Sequence, residues 1–454
     1  MSAASATGSE TQARDGQDGP GSSLRFKHMA GSGILATGDN VYVSRDASGQ
    51  ESEKCAVNPE MWSRAVWGLA FCCLGLAAGC ASMPRNESVA EGAPEEFRAT
   101  FLKFCDLAAA ELCKPMEPFR VYDRSYAETA THHMPAFEDA HAVRALAVAF
   151  DLTGEPKYLE ACRRWADWAV EHQARMIPPG AYYMNHSRAP GEDRGQWNAA
   201  DSGTVGMGVL AAALRCPDAA GRERYLASVR AFLKLMMDWW VDESGGICNG
   251  LWPEYAGPWW CSTATVGKLA LLMHKATGDA QYQRVGLRGI EWLSREHFKE
   301  VKPITFEQRP SGIIFYCFDF YITGLDRFPA DSPVREAVCR QFEDAAAWLA
   351  QNQKTRGAAV PDYTRKNVDM AAMPSLMYAF ARKWPERFGG LVEPADAELR
   401  YVADLLLREG EPQVSQLMIW EVMTWGMMSY AERLAPGSIT EGRIARVAHQ
   451  VRMN

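Results

Sequence analysis

From about residue 93 onward, apolar residues recur at spacings of three and four, as in Phe97, Phe101, Phe104, Leu107 and Ala108. That period puts them on one face of a helix. Strict alternation never lasts long enough to predict a major sheet. The pattern also repeats. Thr153-Gly154-Glu155-Pro156-Lys157-Tyr158 is echoed by Thr277-Gly278-Asp279-Ala280-Gln281-Tyr282, and the same offset carries Trp168 onto Trp292. Tyr225, ahead of the helix with Trp239 and Trp240, looks like a third copy between them. The repeated unit is a helix, a Gly-containing turn, and a second helix with an aromatic residue near its end.

One such hairpin cannot bury its apolar faces alone, so the hairpins should stack. The spacing predicts pairs at 93–113 with 136–152, 156–173 with 198–216, and 220–241 with 260–277. It continues with 280–297 and 310–325, 332–352 and 367–384, and 395–408 and 413–434. Six hairpins, or seven, closing on themselves give an all-α fold, an (α/α)6-7 toroid. The second helix of each pair is rich in Gly, Ala, Ser and Met, as in Gly203–Ala213 and Ala371–Ala379. Small residues suit a crowded inner ring. The first helices are more charged, as in Arg224–Arg230, and suit the outer one.

Loops entering the inner helices of such a ring converge on one mouth, and loops on a rigid scaffold commonly carry function. Here they are rich in chemistry. Thr131-His132-His133 runs on to Glu138-Asp139, Tyr182-Tyr183 to His186-Ser187-Arg188, and Trp197-Asn198 to Asp201-Ser202. Further along come Glu254-Tyr255, Trp259-Trp260-Cys261 and Arg309-Pro310-Ser311. Aromatic faces stack on sugar rings, while Arg, Asn and His bind hydroxyls and carboxylates. His133, Tyr183, Trp197, Asp201, Tyr255, Trp259 and Trp260 are therefore candidate substrate contacts. Each has a plainer reading. The tryptophans can wedge helices apart, Asp201 can cap a helix, and Glu138 and Asp139 suit the positive end of a helix dipole. The histidines show no metal-binding spacing, and no metal or other cofactor is expected.

Arg309 and Tyr316 are seven residues apart and so share a helix face. Tyr316 lies in Ile313-Ile314-Phe315-Tyr316-Cys317-Phe318, a run that also reads as core. A guanidinium beside a phenol nevertheless has a use. It neutralises a uronate carboxylate and acidifies the C5 proton, which the phenol then transfers. His186, His133 and Tyr316 all stay open as the base.

The run from Phe137 through Asp201, notably Gly180-Ala181-Tyr182-Tyr183-Met184-Asn185 and Ala200-Asp201-Ser202-Gly203, resembles toroidal enzymes acting on acidic polysaccharides. The chain is similar to polysaccharide lyase family 38 over most of 95–435. That resemblance implies an (α/α) barrel cleaving alginate or glucuronan by β-elimination. It also implies that Asn198 and Arg309 neutralise the carboxylate, that Tyr316 is acid or base, and that Glu254 positions its neighbours. A family histidine is expected just after Glu254, where this chain has Trp259-Trp260-Cys261. His186 or His133 would then substitute for it. Two alternatives stand: a glycoside hydrolase of the unsaturated glucuronyl type, with Asp139 and Asp201 as its acids, and a glycan-binding lipoprotein without catalysis.

Composition narrows the partners. In 454 residues, 48 basic and 56 acidic side chains leave a net charge of -8. That disfavours nucleic acid, so the expected partner is an acidic polysaccharide or oligosaccharide. The 15 tryptophans suit either a sugar cleft or a large helical core. Residues 1–60 are poor in large apolar residues and read as unstructured or as an upstream over-extension. Met61-Trp62-Ser63-Arg64, the apolar run Ala65–Gly79 and Leu76-Ala77-Ala78-Gly79-Cys80 resemble a bacterial lipoprotein signal. The expectation is a signal at 61–80, lipid on Cys80, a linker at 81–92 and the toroid from 93 to 454. Membrane contact would come only through the lipid, on an outer-membrane protein of the cell envelope. The eight later cysteines contain no C-x-x-C pair, and their spacing names no disulfide.

Overall fold

A computed structural model of the chain describes residues 93–114, 121–122, 132–133, 136–183, 197–249, 257–296, 311–356, 365–414 and 416–445. The helices are α1 (Glu95–Leu112), α2 (Ala136–Thr153), α3 (Pro156–Gln173), α4 (Ala199–Ala213), α5 (Ala219–Trp239), α6 (Trp260–Thr277) and α7 (Ala280–Glu296). They continue with α8 (Ser311–Gly324), α9 (Pro333–Arg356), α10 (Arg365–Lys383), α11 (Pro385–Phe388), α12 (Val392–Leu407) and α13 (Leu417–Leu434). The described strands are two residues each, Val121–Tyr122 antiparallel to His132–His133. The helices all belong to residues 86–454.

Six inner helices form a closed ring in the order α2, α4, α6, α8, α10, α13 and back to α2. The long helix preceding each in the chain lies outside, so the described hairpins number six. Burial follows the composition. In α4 every residue but Asp201 and Ala211 is buried, whereas α3 buries one face through Tyr158, Cys162, Trp165 and Ala169. The inner ring is tight because its glycines leave no room for more. A Cβ on Gly203 would sit 2.7 Å from Thr265 Oγ1 and 2.9 Å from the Thr265 carbonyl carbon. One on Gly267 would sit 2.3 Å from the Phe320 ring. Helix axes can therefore approach closely across α4, α6 and α8.

The inner helices begin at one end of the ring and finish at the other, where residues 435–445 cross. Inner-helix side chains satisfy this segment's backbone. Glu432 Oε1 accepts from Gly437 N at 2.7 Å, and its Oε2 accepts from Ile439 N and Thr440 N, both at 3.0 Å. Lys268 and Arg144 both donate to the Ile439 carbonyl at 3.0 Å, and Thr323 donates to that of Thr440 at 2.7 Å. Asp151 accepts from Ala445 N at 3.2 Å. Buried backbone groups need such partners, and here they come from α2, α6, α8 and α13. The segment seals that end.

All eight cysteines beyond residue 100 are free thiols. Six are buried, and Cys113 and Cys248 are half-buried. Among the described residues no helix is long and apolar enough to cross a membrane.

Candidate active site

At the end where the inner helices begin, polar side chains from opposite inner helices meet. Tyr316 comes from α8 and His141 from α2, which face each other across the ring. The phenol oxygen lies 3.0 Å from His141 Nε2. One turn earlier on α2, Glu138 Oε2 lies 3.3 Å from His141 Nδ1, and Trp425 Nε1 on α13 donates to the same oxygen at 3.0 Å. A carboxylate on Nδ1 fixes the tautomer. Nδ1 carries the hydrogen and donates to Glu138, and Nε2 accepts from the Tyr316 hydroxyl. The order is therefore phenol, imidazole, carboxylate.

Packing holds the rings in place. His141 meets Trp425 at 4.3 Å between centroids, and Phe315 meets Trp425 edge-on at 4.6 Å. Glu138 and His141 are fully buried, while Tyr316 keeps 8% exposure. Tyr316 is thus the member of the trio that keeps any exposed surface. Burial pushes its pKa well above the usual phenol range, and the negative charges of Glu138 and Asp201 push the same way. The hydroxyl is accordingly protonated at neutral pH.

Beside it, the start of α4 is built around Asn198. This residue caps the helix, its Oδ1 accepting from Asp201 N at 2.8 Å and its Nδ2 donating to Asp201 Oδ2 at 2.9 Å. A short amide side chain suits this position because it satisfies a helix N–H that otherwise lacks a partner. Asp201 is half-buried, and its carboxylate is aimed by its own cap. Among the described residues, no three of His, Cys, Asp and Glu gather as a metal-binding set.

The predicted site residues divide. Tyr316, Asn198 and Asp201 gather where the inner helices begin, with Asn198 serving as the cap of α4. Trp197 is fully buried and meets Trp240 edge-on at 5.5 Å, so it is core and not a sugar platform. Tyr183 is likewise core, 2% exposed against His172 and Trp168. The backbone of Trp259 caps α6 and Trp260 opens it, both half-buried. Asp139 is buried within α2. His133 lies in the short strand pairing, its side chain outside the described residues. His186, Glu254, Tyr255, Arg309 and Cys80 lie outside the described residues altogether.

Two members were not predicted: His141 and Trp425. The signal for His141 was present. Glu138, His141 and Arg144 stand three apart along a largely apolar helix, a polar stripe on one face. Trp425 carries no such mark.

No family model and no curated sequence matches the chain. Solved structures do share its fold. An unsaturated glucuronyl hydrolase specific for heparin aligns over 78% of this chain and 100% of its own, at 8% identity and a TM-score of 0.52. A UGL variant with dGlcA-Glc-Rha-Glc aligns over 76% of this chain and 97% of its own, at 13% identity and a TM-score of 0.52. The cellobiose 2-epimerase from Bacillus thermoamylovorans aligns over 73% and 98%, at 12% identity and a TM-score of 0.50. At such identities the likeness is one of architecture: the chain is an all-α toroid built as these enzymes are.

Proposed function

We propose that the chain is an enzyme acting on a uronate-containing polysaccharide, of alginate or glucuronan type, which it cleaves by β-elimination. The observation that carries this reading is the Tyr316–His141–Glu138 line. A phenol held protonated is no base by itself. Joined to an imidazole that is joined to a carboxylate, it becomes one. As the C5 proton moves to the Tyr316 oxygen, the phenol proton moves to His141 Nε2, and Glu138 stabilises the resulting imidazolium. The C5–H electrons form the C4–C5 double bond, and the C4–O bond breaks. The leaving oxygen takes its proton from Tyr316, which is restored from His141. Arg309, two residues ahead of α8, supplies the cation that neutralises the uronate carboxylate. Solved toroids named for glucuronyl and cellobiose substrates support a sugar as substrate class.

Asp201 favours a second reading, hydrolysis of an unsaturated glucuronyl sugar with this carboxylate as the acid, on the architecture of the glucuronyl hydrolases. One assay separates the two. The protein is incubated with alginate, glucuronan, pectate and glycosaminoglycans, and the ultraviolet absorbance of the conjugated C4–C5 double bond is followed. A rise on one polymer is the expected result and names the uronate. Loss of absorbance from pre-made unsaturated oligosaccharides would transfer the function to Asp201, and no change in either direction would overturn both. We also propose that Cys80 bears lipid and anchors the protein to the cell envelope. Cys80→Ser should then release it from the membrane fraction, and a variant still retained there would remove that assignment.

A further inference from the structure

The Tyr316–His141 contact is not the only one to cross the ring between α2 and α8. One turn deeper on both helices, Arg144 Nη2 lies 3.5 Å from Asp319 Oδ2. Lys268 of α6 reaches the same oxygen at 2.5 Å. Both cations also donate to the Ile439 carbonyl of the sealing segment at 3.0 Å. Arg144, Asp319 and Lys268 are 6%, 0% and 1% exposed. Two cations and one anion thus form a layer directly beneath the imidazole, where water screens little.

A toroid does not need such a layer to fold, because apolar packing commonly matches a buried ion cluster in stability. A histidine that must accept a proton does need a defined potential. We propose that Arg144, Asp319 and Lys268 are positioning residues that set the protonation of His141 and keep the Tyr316 phenol seated on it. This rests on the reading in which His141 receives the proton. Among the described residues, the charged and titratable groups about the Tyr316–His141 pair include Glu138 and Arg144 on α2, Tyr316 and Asp319 on α8, Lys268 on α6, and Asp201 on α4 and Cys261 on α6, which both act on the Tyr316 phenol. On α13 they are Glu421, one turn before Trp425, and Glu432, which pairs with Arg382 of α10. Removing the anion of the layer leaves two cations under the imidazole and disfavours its charged form. Removing one cation does the reverse. Burial lowers the Lys268 pKa to about 7 against the pull of Asp319, so the charge of the layer itself changes in the neutral range.

The test follows the His141 imidazole by NMR across pH in the full chain without substrate, the signal being assigned by its absence in His141→Gln. Asp319→Asn should lower the His141 midpoint and Lys268→Met should raise it, each by about half a unit or more. Asp319→Glu should restore the wild-type value. The acid limb of kcat/KM should move in the same directions. If Lys268 titrates beside it, the transition in the unmutated protein should also be broader than a single site. The Lys268→Met shift decides the matter if Asp319→Asn does not fold. No shift in Lys268→Met, or shifts of the same sign in both variants, overturns the proposal, since mere structural damage has no reason to reverse sign. Shifts of opposite sign without elimination of any uronate would overturn the assigned reaction and leave the layer standing. Elimination with no shifts would do the opposite.

Discussion

At the scale of single residues, the hydrogen bond between Tyr316 and His141 makes the sharpest claim. Tyr316→Phe keeps the ring among His141, Phe315 and Trp425 and deletes the oxygen. His141→Gln keeps a polar side chain but removes the proton acceptor. Each should lower kcat about 10²–10⁴-fold, the usual worth of a positioned acid-base group, with little change in melting temperature. Because the two act as one relay, the double variant should be about as slow as either single one. Losses that simply multiply in the double variant would show that they act separately. Tyr316 could be singled out because Arg309 stands seven residues before it and the helix period predicts one face for both. His141 was less so, since it stands in the run Ala140-His141-Ala142-Val143, where hydrophobic surroundings read as core. Trp197 and Tyr183 failed in the other direction. A large aromatic in a loop signals burial as readily as stacking, and only the packing of Trp240, Trp168 and His172 decides which.

At the scale of elements, the helices follow their periodicity closely. The predicted helices 156–173 and 260–277 coincide with α3 and α6 (Pro156–Gln173 and Trp260–Thr277). The assignment of inner and outer ring also holds, because side-chain size sorts helices by how near they must approach. The sealing role of 435–445 was not legible. Its sequence, Ala435-Pro436-Gly437-Ser438-Ile439-Thr440, is that of an ordinary loop, and its partners lie far away in the chain. Glu432 is the central one, fully buried, accepting from three backbone N–H groups and the Thr440 hydroxyl while paired to Arg382 at 2.9 Å. Glu432→Gln preserves its volume but aims an NH2 group at these donors and takes a counter-charge from Arg382. The expected cost is about 3 kcal/mol, read as a lower denaturation midpoint, with the amides of 437–440 losing hydrogen-exchange protection first. Unchanged protection there would mean that the segment is held by its apolar contacts instead. Gly203→Ala tests the ring in the same way. Its new methyl meets the Thr265 backbone, which cannot rotate aside, so overpacking should cost about 1–3 kcal/mol.

For the whole molecule, the ion layer across the ring couples global stability to pH, and the sign can be worked out. Lys268 has a folded pKa of about 7, below the ordinary lysine value of 10.5, because burial penalises the charged form more than Asp319 rewards it. Between those two values the unfolded chain holds a proton that the folded chain has released. Stability must then rise with pH across that window, by up to about 1.4 kcal/mol per pH unit for one proton. Lys275, where burial likewise lowers the pKa despite the Glu441 carboxylate, adds to the rise. Buried thiols end it. Burial raises the pKa of Cys105, Cys162, Cys261 and Cys317 above the usual value of 9, so as the pH nears that value the unfolded chain ionises thiols that the folded one keeps neutral, and stability falls again. Buried Tyr182 and Tyr321 deepen the fall above pH 10 in the same way. Guanidinium unfolding at pH 7, 7.5 and 8 should therefore show a rising free energy with a constant denaturant slope. Lys268→Met, which removes the titrating group, should flatten that rise while leaving the alkaline fall in place. A wild-type profile already flat from pH 7 to 8 would mean that Asp319 and the Ile439 carbonyl hold the Lys268 ammonium charged throughout. The layer beneath His141 would then carry a fixed charge rather than a titrating one.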